Sequence, residues 1–278
     1  MLLALILLLM EGGQVFNILM NFGIIIQARI NSKRLPGKVL KKHKNITPLK
    51  IIIDKLKLFN YLKQTIVATT QNNEDKKIVN FCKKNKIKYF RGSSNDVMMR
   101  FYKCSKKFNI KNIIRITADC PFIDMFLLKK MINIFKNKKI DYLANTYPLP
   151  TNFPDGSDIE IFKTKSLKEC IKNDFLPSER EHVTISFWKK KKFKSKKINL
   201  KKNYSKFRYT IDNPNDFEIY KSIIDKFRYE KILTLKMSEI INFLSKNKKL
   251  ILYQKKIKRN YGWKSSLLKD KHFLKFNR

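Results

Sequence analysis

Between residues 22 and about 145, short apolar runs alternate with longer stretches in which apolar side chains recur every three or four positions. The runs at 22–27, 65–69, 88–90, 113–116 and 142–144 are strand-length and bounded by polar residues, which predicts strands. The stretches at 48–59, 74–85, 96–108 and 124–136 carry helical spacing. Strand and helix alternating at this interval predict an α/β fold, a mostly parallel central sheet with helices on both faces. Such sheets bind ligands beyond the carboxyl ends of their strands, near the switch in strand order. Chemistry is therefore expected in the loops after Gln27, Thr69, Phe90 and Ile116. From 146 to about 212 the pattern loosens into a proline-containing loop, a strand at 158–162, two helices and a returning strand at 208–211. This part is expected to shape the acceptor side of a site. After Asn213 come two more helical stretches and a basic tail, without internal repeats.

The chain begins with ten apolar residues, MLLALILLLM, too short to span a bilayer and preceded by no basic segment. An export signal or stable membrane anchor is not expected. The reading adopted is that Met20 is the true start, because the first strand begins at Phe22. Residues 1–19 are then an extension outside the fold, 20–227 the main domain, and 228–278 a basic helical extension. Four widely spaced cysteines and three histidines suit neither a disulfide framework nor a zinc site, so a cytoplasmic location is expected.

Composition changes this picture less than its size suggests. The 62 Lys and Arg against 22 Asp and Glu give a net charge of +40, which invites an anionic partner. Only ten of the 62 are Arg, however, and Asn and Ile are also abundant, as an AT-rich coding sequence produces. The basic and aromatic segment at 186–197, SFWKKKKFKSKK, is read as a helix end and exposed strand coloured by this lysine bias. A nucleic-acid partner is not expected. The placement of arginine is more informative, since Arg29, Arg34, Arg91, Arg100, Arg115, Arg180 and Arg208 fall mostly at predicted strand ends or loops. In a chain that favours Lys, Arg there suggests planar, bidentate contacts.

Three regions carry the candidate chemistry. Residues 27–38 read QARINSKRLPGK, where small and turn-forming residues and the cations Arg29, Lys33, Arg34 and Lys38 suit a polyphosphate. The loop is neither a Walker P-loop nor a dinucleotide fingerprint. Residues 115–124 read RITADCPFID and 208–214 read RYTIDNP, so Asp119 and Asp212 each follow a predicted strand. Two such carboxylates facing a polyphosphate loop suit Mg²⁺, which takes few carboxylates plus phosphates and water. The alternative is that each caps the following helix; it is weaker for Asp119 and stays open for Asp212. The third region joins FPDGSDIE at 153–160, with Asp155 and with Asp158 and Glu160 expected on one strand face, to PSEREH at 177–182. There Ser178 is expected as a helix cap with Glu181 in a capping box, leaving Arg180 and His182 as substrate candidates.

Together the motifs A-R-x-x-S-x-R-L-P-G-K, V-A-T-T, R-G-S-x-x-D-V-x-x-R-F, R-I-T-x-D-C-P, F-P-D-G-x-D, S-E-R-E-H-V-T and T-x-D-x-P-x-D-F occur in order. In this the chain resembles the cytidylyltransferase family of CMP-sugar synthetases, in the branch called spore coat polysaccharide biosynthesis protein F. The resemblance covers residues 22 to about 227, and RNYGWKSSL at 259–267 is similar to an ending seen in that branch. It implies a fold of the nucleotide-diphosphosugar transferase type (GT-A-like), with CTP and Mg²⁺ at the carboxyl edge. Carried over, Arg29 and Lys38 hold the triphosphate, Ser32 and Arg34 complete the loop, and Ala28, Thr69 and Thr70 surround cytosine and ribose. Asp119 matches the metal-binding aspartate and Asp212, less closely, the second. Asp96 and Arg100 fall on the nucleotide side by this resemblance, and Arg115 joins Asp155, Asp158, Glu160, Arg180 and His182 on the sugar side. Ala118 stands where Gly is common, and Asn31 replaces a small residue. The implied reaction is attack of a hydroxyl of an acidic sugar on the α-phosphorus of CTP, releasing pyrophosphate and giving a CMP-sugar for surface polysaccharide. A homodimer is part of the same expectation. One rival is a glycosyltransferase of the same broad fold, but Asp119-Cys-Pro is not the D-x-D metal motif such enzymes usually carry. The other is an anionic-surface binder.

Overall fold

The computed structural model describes residues 21–255 and 261–276. The expected extension at 1–19 and the first residues of the RNYGWKSSL segment lie outside the described residues.

Among the described residues seven strands form one sheet: β1 (Phe22–Gln27), β2 (Thr65–Thr70), β3 (Lys88–Gly92), β4 (Asn112–Thr117), β5 (Tyr142–Ala144), β6 (Glu160–Lys163) and β7 (Ser195–Lys197). Their order is β3-β2-β1-β4-β6-β5-β7. The first four are mutually parallel, β6 runs antiparallel to β4 and β5, and β5 and β7 are parallel. Strand order reverses across β1 and β4, whose ends are level because Gln27 pairs with Thr117.

The central strands are apolar on both sides because both faces are covered. Ile24 and Ile26 of β1 pack with α1 (Pro48–Leu58), α2 (Lys76–Lys84) and α4 (Met125–Asn137). Ile25 points the other way, into a core with α3 (Val97–Lys107), α5 (Thr164–Asn173) and Phe187 of α7 (Ile185–Lys189). Helix starts follow local chemistry: Thr47 caps α1 ahead of Pro48, and Asp96 accepts from Met99 N–H at the start of α3. Between α5 and α7 lies α6 (Pro177–His182), so the segment expected to hold two helices holds three, and β7 follows it.

Residues 208–211 correct the expectation of a returning strand. Among the described residues their backbone pairs in strand fashion only at an isolated bridge, Asp155 to Arg208, and Ile211 N–H donates to the Asp119 carbonyl. Gly156 explains the close approach, since it has φ +107° and a Cβ there would lie 2.4 Å from Thr210 N. The expected strand at 158–162 begins at Glu160 instead.

After Asn213 the chain forms α8 (Pro214–Lys226), α9 (Tyr229–Thr234), α10 (Met237–Ser245), α11 (Lys248–Lys255) and α12 (Tyr261–Phe276), where two helical stretches and a tail were expected. Helices α8 to α11 share a third core with Ile51 of α1 and with Phe122, so this region packs onto the body. Among the described residues no helix is long and apolar enough to cross a membrane.

Candidate active site

The loop after β1 is held by its own backbone and by one buried carboxylate. Gly37, at φ +71°, returns its N–H to the Ile30 carbonyl at 2.9 Å. Asp75 accepts from Ile30 N–H at 2.6 Å through one oxygen, and from Thr70 N–H and Oγ1 through the other. It thereby ties the loop to the end of β2. Sequence reasoning missed Asp75, although two acidic residues just before a helix are a local signal. Ala28 and Thr69 are buried, and the Thr69 hydroxyl has no partner among the described residues. Arg29 and Lys33 stay exposed at the cleft.

The loop ends in a 3-10 turn, Lys38–Leu40, that sends Lys38 toward the ends of β4 and the 208–212 segment. Its Nζ lies 2.5 Å from Asp119 Oδ2 and 2.8 Å from Asp212 Oδ1. Burial works against the ammonium charge, but Asp119 and Asp212 outweigh it and raise the Lys38 pKa above its usual value. Burial also opposes the Asp212 charge, yet Lys38, Arg208 and Arg34 together hold this carboxyl well below the ordinary carboxylate range. Neither aspartate caps a helix: Asp124 caps α4 and Asn213 caps α8, with Asp216 completing that capping box. The open alternative for Asp212 is thereby resolved. Both carboxylates line a cleft of about 470 Å³ together with Arg29, Lys33, Arg34 and Lys38. Among the described residues there is no cluster of three or more His, Cys, Asp or Glu fit for a metal. Two carboxylates beside a cationic loop fit Mg²⁺, whose remaining ligands are ordinarily phosphates and water.

Arg115 lines the same cleft, with an ion pair to Glu160 and a hydrogen bond to Gln27 Oε1 at 3.0 Å. Glu160 also accepts from Tyr142 and Thr184, at 2.7 and 2.6 Å, so it supports Arg115 from behind. Asp155 pairs with Arg208, and Asp158 accepts from Thr146 and Gly156 N–H. The three acidic residues expected on the sugar side therefore have internal partners, because the 155–160 turn packs against other loops.

Arg100 is corrected in the same way. It is 1% exposed, with Nη1 on the Ser93 carbonyl and Nε without a partner among the described residues, so it braces the β3–α3 loop rather than reaching the cleft. Asp96 caps α3 and pairs with Arg180 at 3.3 Å. Arg180 spends its other nitrogens on the Asp174 and Ile171 carbonyls, while still lining a neighbouring cavity. The expected capping box is shifted by two residues: Pro177 opens α6, so Glu179 accepts from Leu176 N–H. Ser178 instead donates to Asp270, and Glu181 meets Ser266 and Lys269 of α12. His182 faces the cleft, with Nε2 2.9 Å from Ser266 Oγ. Burial holds its imidazole well below the usual histidine range despite the opposing effect of Glu181.

A cytidylyltransferase of Leptospira borgpetersenii superposes with a TM-score of 0.77 and is 35% identical, covering 84% of this chain and 97% of that one. An uncharacterized protein of Methanocaldococcus jannaschii is 34% identical over 80% of this chain and 90% of its own length. The spore coat polysaccharide biosynthesis protein SpsF of Bacillus subtilis is 29% identical over 80% of this chain and 93% of its own. The family model described as cytidylyltransferase matches residues 23–257, spanning the loop after β1, both aspartates and α6. The chain belongs to the cytidylyltransferase family.

Proposed function

We propose that this cytidylyltransferase moves the cytidylyl group of CTP to a hydroxyl of an acidic sugar, forming a CMP-sugar for surface polysaccharide and releasing pyrophosphate. The observation that carries this reading is the meeting of Lys38, Asp119 and Asp212 below a loop bearing Arg29, Lys33 and Arg34. A triphosphate laid on that loop meets guanidinium and ammonium donors, which neutralise it and stabilise charge developing on the leaving pyrophosphate. Mg²⁺ bound by Asp119 and Asp212 would supply further charge neutralisation at the phosphates. Lys38, with Arg208 and Arg34, keeps Asp212 ionised for that role. Arg115, fixed by Glu160 and Gln27, presents a cation where the acceptor would lie. Positioning and charge stabilisation are the main tasks left to the protein in such a transfer.

The test is pyrophosphate release by purified protein given CTP, Mg²⁺ and a panel of keto-sugar acids. Asp119→Asn should lower turnover by roughly a hundredfold or more while CTP binding persists in part, as expected when charge stabilisation of the transition state is lost. No release with any acceptor overturns the proposal, and full turnover by Asp119→Asn removes that residue from the reacting site.

A further inference from the structure

The family match ends at residue 257, yet the helix beyond it reaches the cleft. Ser266, Lys269 and Asp270 are spaced three and four apart, so they share one face of α12. That face is fastened to α6 by buried polar contacts. Asp270 accepts from Ser178 N–H at 2.8 Å and from Ser178 Oγ at 2.5 Å, and both residues are buried. Ser266 is 1% exposed and lies 2.9 Å from His182 Nε2 and 3.0 Å from Glu181 Oε2. Each of these groups is costly to bury without its partner, so the seat of α12 on α6 is specific rather than merely apolar.

Lys269 is the member of this face that stays open. Its side chain is 55% exposed, with Nζ 2.9 Å from Glu181 Oε2. An ammonium has three donors, and one of them is used by Glu181. Lys269 and Glu181 line both the cleft holding Lys38 and the adjoining cavity of about 450 Å³. In that cavity Arg29, Arg180 and Lys269 stand against two carboxylates, Asp96 and Glu181. Asp96 is paired with Arg180 and Glu181 with Lys269, while Arg29 makes no ion pair among the described residues. Arg29, shared with the cleft proposed to take the triphosphate, is the surplus cation, and Lys269 keeps two ammonium donors for a second anion.

We propose that α12 forms one wall of the acceptor-sugar site, with Lys269 receiving a negatively charged group of the acceptor and Ser266 orienting His182 beside it. This rests on the reading of the activity as cytidylyl transfer to an acidic sugar. It adds that discrimination for the acid depends on a helix outside the matched family region. The carboxylate of the acceptor takes the remaining ammonium donors of Lys269, and Glu181 keeps the side chain extended over the cleft.

The experiment measures pyrophosphate release with CTP and Mg²⁺, using 3-deoxy-manno-octulosonate and N-acetylneuraminate as acceptor probes, alongside calorimetric titration of CTP. Lys269→Ala should raise KM for the sugar acid by about tenfold, the loss expected for one charge-assisted hydrogen bond. KM for CTP and kcat should stay within about twofold, and Lys269→Arg should recover most of the loss. Lys271→Ala, an exposed lysine on the same helix, removes equal charge and should change nothing. An unchanged KM for the acid in Lys269→Ala overturns the inference, as does an equal rise in KM for CTP. Wild-type protein that binds CTP but uses neither acid overturns it through the acceptor. Wild-type protein that does not bind CTP instead refutes the underlying activity, a failure visible before any variant is made.

Discussion

Lys38 Nζ lies 2.5 Å from Asp119 Oδ2, although 81 positions separate the two in the chain. The same ammonium holds Asp212, so a single cation keeps two carboxylates together at the floor of the cleft. Lys38→Met should leave those carboxylates repelling each other and lower stability by about 1–3 kcal/mol. Added Mg²⁺ should raise the Tm of this variant more than that of the wild type, because a divalent ion can replace the lost charge. Thermal unfolding with and without Mg²⁺ checks this, and an equal response in both proteins would remove the aspartate pair as the metal's seat. The depressed Asp212 pKa contributes stability above the unfolded value of 3.8, and that contribution disappears as pH falls through the folded value.

Asp75 governs the loop without touching the cleft. Asp75→Ala orphans the buried N–H groups of Ile30 and Thr70, at a cost of about 1–3 kcal/mol for each unsatisfied group. The loop should loosen, so KM for CTP should rise along with the fall in Tm. Asp75→Asn keeps one acceptor and should lose less of both. Equal CTP affinity in all three proteins would mean that the loop keeps its shape without this clamp.

His182 is held neutral by burial, so it binds fewer protons folded than unfolded below its unfolded value of 6.5. Its contribution to stability therefore falls as pH drops through that region, and His182→Asn should flatten the acid side of the stability curve. The turnover profile should show no step from this residue between about pH 6 and 8. A step there that vanishes in His182→Asn would show that the imidazole titrates during the reaction.

Lys55 sits at 0% exposure in α1, with Nζ on the Ile123 carbonyl at 3.1 Å. Burial lowers its pKa to about 7, against the raising effect of Asp124 and Glu239. Between that value and 10.5 the unfolded chain binds the extra proton, so stability from this group rises with pH. Lys55→Met should add roughly 1–3 kcal/mol at neutral pH by removing the buried charge, and the pH slope should shrink. Denaturant unfolding at pH 7 and pH 9 measures both effects, and a destabilised variant with an unchanged slope would contradict the account.

The expected strand bounds at 22–27 and 142–144 match β1 and β5, and those at 65–69 fall one residue short of β2. A run of Ile and Val between turn residues determines a buried strand locally, and its end determines where loop chemistry can stand. The loop 27–38 and the strand-end Asp119 were legible for that reason, and their ordered motifs made the family legible too. Partnership was not. Extended residues at 208–211 read as a strand, but whether they enter a sheet depends on the turn at Gly156 that meets them. Ser178 and Glu181 read as a capping box, but α6 starts at Pro177 and both residues turn to α12, with Ser178 joined to Asp270 92 positions away. Glu160 and Arg100 carry the same charges as site residues, and only packing placed them behind the cleft. The residue types and local periodicity settled the elements and the chemistry available at their ends. Which charges line the cleft and which pair away from it was decided by chain closure over long separations, such as the 174 positions between Lys38 and Asp212. No local pattern encodes such a pairing, because its energy exists only once the distant segments are packed together.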